Sequence, residues 1–93
     1  MQVNVHKTRE VQFGELIEFA AVAEYRSFTR AAVQLGVSTA TVSQAIRSAE
    51  DRLGRRLLNR TTRHVAPTPA GEHLLERLRV VTEELESALE EMN

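Results

Sequence analysis

A chain of 93 residues makes one domain with a small core, since a chain this short buries a modest share of its surface and gains from a partner that covers more. With no cysteine, disulfides and thiolate metal sites are excluded, and no apolar run approaches the roughly 20 residues of a membrane helix; with no secretory leader either, the cytoplasm is expected. The net charge of −1 hides a segregation: residues 26–63 hold eight arginines against Glu50 and Asp51, for +6, whereas residues 72–93 hold seven glutamates against Arg77 and Arg79, for −5. Binding to a polyanion depends on the charges near it rather than on the total, so the basic middle is the relevant quantity.

Residues 1–12 have no apolar period and read as a mobile N-terminal extension. In residues 13–25, Leu16, Ile17, Phe19, Ala20, Val22 and Ala23 wrap more than one face, which predicts a helix covered on two sides, once by its own chain and once by a partner chain. A short helix is expected over 29–35, started by Ser27 or Phe28 and stopped at Gly36, where positive φ costs little. It places Ala31, Ala32 and Leu35 on one face. Val37 then plugs the turn, and Ser38 can cap a helix over 39–53.

That helix carries two stripes. Val42, Ile46, Ala49 and Leu53 form a core stripe, while Thr39, Ala40, Ser43, Gln44 and Arg47 form a polar one from which a globular core gains nothing. Small residues at the N-terminal end let the helix approach a surface closely. Beyond them Gln44 can pair bidentately with adenine, and Arg47 can pair with guanine or clamp a phosphate. These are the requirements of a recognition helix in a major groove. The small residues Ala31, Ala32 and Gly36, with Val42, suit two helices crossing closely in a helix-turn-helix. Thr29, Arg30 and Ser38 sit at helix N-termini, where N–H groups and the dipole favour phosphate.

After Gly54, the pairs Leu57-Leu58 and Val65-Ala66 flank a polar tip, which predicts a two-stranded wing. Its tip offers Arg60, Thr62 and Arg63 to phosphates or to a narrow minor groove. Thr68 as N-cap and Pro69 at the first helical position then start a helix over 68–92. Leu74, Leu78, Val81, Leu85, Ala88 and Met92 alternate steps of four and three along it, an apolar heptad seam, with Leu75 and Leu89 beside it. At roughly 35 Å, the helix outreaches a core of this size, so a homodimer through this seam is expected.

The run Phe28-x-x-Ala31-Ala32-x-x-Leu35-x-Val37-Ser38-x-x-Thr41-Val42-Ser43-x-x-Ile46-x-x-Ala49-Glu50, continued by Leu53-Gly54-x-x-Leu57-Leu58-x-Arg60-x-x-Arg63-x-Val65-x-x-Thr68-x-Ala70-Gly71, resembles the amino-terminal DNA-binding domain of LysR-type transcriptional regulators. It departs from the family's pattern at Ala49 and Pro67, where leucine is usual. The resemblance implies a mostly α fold with three divisions: the extension 1–12, a winged helix-turn-helix over 13–67, and a linker and dimerisation helix over 68–93. It implies double-stranded DNA as partner, bound by a dimer; two-fold pairing of the 68–92 helices predicts an interrupted palindrome, with A·T-rich flanks expected from Arg63 in a narrowed minor groove. Such regulators usually continue into a two-lobed α/β domain that takes a small-molecule effector, so an effector is expected only through a domain absent from these residues.

No cofactor or metal is expected. His6, His64 and His73 lack ligand spacing, the four glycines are too far apart for a phosphate loop, and Ser43, His64 and Asp51 have no nucleophile elbow around them. The competing reading is a winged-helix protein-interaction module that does not touch DNA. Such a surface favours aromatic or aliphatic anchors where this chain has Thr39, Ser43, Gln44, Arg47 and Arg63. Retention on heparin at low salt, despite the negative net charge, separates the two.

Overall fold

The computed structural model describes residues 11–61 and 64–93. Its elements are α1 (Phe13–Tyr25), α2 (Phe28–Leu35), α3 (Thr39–Leu53), β1 (Leu58–Arg60), β2 (Val65–Pro67) and α4 (Pro69–Glu90), which together make a winged helix-turn-helix followed by a long helix.

Each helix start has a local cause. The Ser27 hydroxyl accepts from the Arg30 N–H (3.1 Å), Ser38 from Thr41 (3.0 Å) and Thr68 from Gly71 (3.0 Å), so three of the four helices have one orphan donor satisfied by their cap. The tight turn between α2 and α3 depends on Gly36, whose φ of 72° lets the Val37 N–H reach back to the Ala32 carbonyl at 3.1 Å. Val11, expected in the extension, is buried. It stands just before the Gln12 cap of α1, where an apolar residue commonly packs on the first helical turn.

The core forms where α1, α2 and α3 cross. Phe19 and Val22 of α1, Val42 and Ile46 of α3 and Leu58 of the wing are fully buried, each such side chain contributing roughly 1.5–3 kcal/mol by leaving water. Ala31 and Ala32 are buried between them, small enough for the close crossing. Leu53, expected in the core stripe, is 39% exposed: it is the last residue of α3, and the stripe outruns the core by a turn.

The wing strands pair antiparallel, Leu58 with Pro67 and Arg60 with Val65. Arg60, expected at the wing tip, is therefore the last residue of β1. Beyond it, the Thr61 N–H donates to the His64 carbonyl at 2.8 Å.

The seam expected on α4 divides. Gly71, Leu75 and Leu78 face inward, and Leu75 and Leu78 belong to the same core as α1 and α3, with Leu74 packed at its edge. Leu78 is thus taken by the chain's own core rather than left for a partner. Beyond it Val81 (49%), Leu85 (46%) and Met92 (81%) are exposed, as is Ala88. Met92 lies just past the helix end at Glu90, in a final turn where its N–H donates to the Leu89 carbonyl at 3.2 Å.

Candidate nucleic-acid interface

The polar stripe of α3 lies where its spacing placed it. Thr39, Ala40, Gln44 and Arg47 are exposed and Ser43 is half-buried, on the side away from Val42, Ile46 and Ala49. Ser38 stands at the exposed N-terminal end of the helix, its Oγ 2.8 Å from the Thr41 hydroxyl. Thr29 and Arg30, in the first turn of α2, are exposed as well. A shallow cleft lined by Ala40, Ser43, Gln44, Arg47 and Ser48 runs along the stripe. Thr62 and Arg63 lie outside the described residues.

The arginines of the basic middle divide into two groups. Arg52 donates to Glu15 of α1 at 3.2 Å and Arg60 to Glu50 at 3.3 Å, so these two serve the fold. Arg26, Arg30, Arg47, Arg55 and Arg56 form no ion pair among the described residues and are exposed. The surface charge is accordingly more positive around α2 and α3 than elsewhere.

Glu50 is the residue that sequence reasoning passed over. It is 8% exposed, and its Oε2 accepts from the backbone N–H groups of Leu57 (2.8 Å) and Leu58 (3.2 Å). The signal was present in its spacing: Glu50 follows Val42 and Ile46 at steps of four, which puts a carboxylate in line with two core residues. A buried carboxylate needs donors, and the start of the wing supplies them.

Glu18 on α1 is half-buried, its Oε1 buried and without a hydrogen-bond partner among the described residues. Partial burial, and secondarily the negative charge of Glu15, raise its pKa above the ordinary value of 4.5. Among the described residues no group of three histidine, aspartate or glutamate side chains could hold a metal ion, and no helix is long and apolar enough to cross a membrane.

Residues 13–72 match the family model for the bacterial regulatory helix-turn-helix protein of the lysR family. The chain belongs to the LysR family. Among curated LysR-like relatives, it is 50% identical over 78 residues to the HTH-type transcriptional regulator PgrR of Escherichia coli K12, covering 84% of this chain and 26% of that protein. It is 49% identical over 79 residues to a putative transcriptional regulator of Pseudomonas aeruginosa, covering 85% of this chain and 26% of that protein. The chain thus spans about a quarter of the length of these relatives. Among solved structures, the BenM_DBD/catB site 1 DNA complex matches with a TM-score of 0.82 at 30% identity over 87% of this chain and 90% of that one. The CbnR_DBD-DNA complex matches with a TM-score of 0.78 at 32% identity over 87% of this chain and 93% of that one.

Proposed function

We propose that this LysR-family chain binds double-stranded DNA sequence-specifically as a homodimer and so regulates transcription. The observation that carries the reading is the exposed stripe of Thr39, Ala40, Ser43, Gln44 and Arg47 on a helix whose opposite side is locked into the core. Two structural relatives of this fold were solved as complexes with DNA, which supports the same use of α3 here.

In this reading α3 enters the major groove by its N-terminal end. Gln44 and Arg47 address base edges, while Thr39, Ala40 and Ser43 allow close approach. Thr29, Arg30 and Ser38 hold the sugar-phosphate backbone at the N-termini of α2 and α3. The flanking A·T preference rests on Arg63, on sequence grounds alone. The dimer forms through Val81, Leu85, Ala88 and Met92, with Leu89 beside them, and Leu74 and Leu78 mark where this surface meets the chain's own core. Tyr25 of α1, 40% exposed, shares a cleft with Leu78 and Thr82 of α4 and so adjoins the face that a second copy covers.

Titration of labelled duplexes tests the assignment. Gln44→Ala should cost about 1–3 kcal/mol on a selected site and little on random sequence, whereas Arg30→Ala should weaken both alike. Equal losses on both duplexes for Gln44→Ala would remove Gln44 from the base-reading set.

A further inference from the structure

We propose that Arg55 and Arg56, next to Arg47, form a phosphate-binding cleft on the wing side of α3, which carries the DNA contact past the edge of the major groove. The proposal rests on the DNA reading above and adds residues that reading does not use.

A cleft between the C-terminal half of α3 and the start of the wing is lined by Arg47, Asp51, Gly54, Arg55 and Arg56. It adjoins the cleft along the recognition stripe, which also reaches Arg47 and Asp51, so the two make one continuous surface. The cationic balance favours an anion. Among the described residues Arg47, Arg55 and Arg56 are exposed without an acidic partner, Arg60 of the lining is paired with Glu50, and Asp51 is the one carboxylate of the lining that no basic group engages.

The turn that presents the two arginines is fixed. Gly54 takes φ 67°, the Arg55 N–H donates to the Glu50 carbonyl at 3.2 Å, and the Arg56 carbonyl accepts from the Thr68 hydroxyl at 2.7 Å. Little backbone entropy is then lost when the side chains engage a ligand. Length decides which ligand atoms they meet. The 15 residues of α3 extend roughly 22 Å, and the major groove is about 12 Å wide. A helix laid across the groove with its N-terminal residues at the base edges brings its last turns to the phosphates of the groove edge, where Arg55 and Arg56 stand. Asp51 opposes the same phosphates.

The test measures the salt dependence of binding to a random-sequence duplex for wild type, Arg55→Gln/Arg56→Gln and Asp51→Asn, with urea midpoints confirming that each variant is folded. All three side chains are exposed, so folding should be unaffected. Each phosphate contact accounts for about 0.9 of the slope of log K against log salt. The double variant should therefore lower the slope by roughly 2, and should weaken selected and random duplexes by the same factor. Asp51→Asn should tighten binding at low salt. A wild type that binds while the double variant keeps the full slope, or Asp51→Asn that leaves low-salt affinity unchanged, overturns the cleft alone. A wild type that binds neither duplex overturns the DNA reading, and the cleft with it.

Discussion

Glu50 of α3 and Arg60 of β1 meet with 3.3 Å between Oε1 and Nη2, and the Arg60 guanidinium lies 5.3 Å from the centroid of the Phe28 ring at the start of α2. With the Leu57 and Leu58 N–H groups on its other oxygen, the Glu50 carboxylate ties the wing to α3, and Arg60 carries the link on to α2. Replacing the carboxylate leaves two buried donors and a half-buried cation without an acceptor. Glu50→Ala should therefore cost about 3 kcal/mol in urea unfolding. Arg60→Ala should cost less, roughly 1 kcal/mol, because the carboxylate keeps its two backbone donors. The reverse order would mean that the pair, rather than the backbone bonds, holds the wing.

Gly71 and Gly14 should respond to alanine with opposite signs. A Cβ on Gly71 would run into the Leu57 carbonyl oxygen, whereas one on Gly14 meets nothing within 4 Å. That carbonyl also accepts from the Thr68 N–H at 3.0 Å, so it has little freedom to retreat. Overpacking of this kind costs about 1–3 kcal/mol, more than the helix propensity gained. Gly14→Ala has only the propensity gain, up to about 1 kcal/mol. Thermal unfolding of the two variants checks both signs.

The helices were legible in sequence because each start and stop is local: Ser27, Ser38 and Thr68 cap, and Gly36 and Gly54 end. What sequence could not apportion was the surface of α4. Leu78 satisfies the heptad seam and equally the stripe of Gly71 and Leu75, and only the position of α1 and the wing decides that it turns inward. Arg60 posed the same difficulty at the site. An arginine beside a wing tip reads as a phosphate ligand, and nothing local signals its pairing with Glu50, ten residues earlier.

Leu78 and Leu85 separate folding from assembly. Leu78 is 5% exposed in the single chain and Leu85 is 46% exposed. Leu78→Glu should unfold the chain by burying an unpaired carboxylate. Leu85→Glu should leave the helical circular dichroism intact and convert the sedimenting species from dimer to monomer. If the Leu85→Glu variant sediments as a dimer, the second half of α4 is not the interface.

Glu18 gives a pH dependence with a definite sign. Its folded pKa is raised, so the folded state holds the proton more tightly than the unfolded state does. Its contribution to stability is fully present below the ordinary value of 4.5 and is lost as pH rises through the raised value. Glu18→Gln should therefore raise the urea midpoint at neutral pH, and the gain should vanish as pH falls below 4.5. A gain that persists at low pH would mean that the carboxyl group is not its source.

Selection from randomised double-stranded DNA by the purified chain asks at once whether α3 reads sequence and whether two copies read together. If the α4 helices pair about a two-fold axis, the enriched site is an interrupted palindrome with half-sites one helical turn, about 34 Å, or a small multiple apart. Gln44→Ala should flatten one symmetric position in each half-site. Recovery of a single unrepeated half-site, or of no enriched sequence at all, would contradict the account.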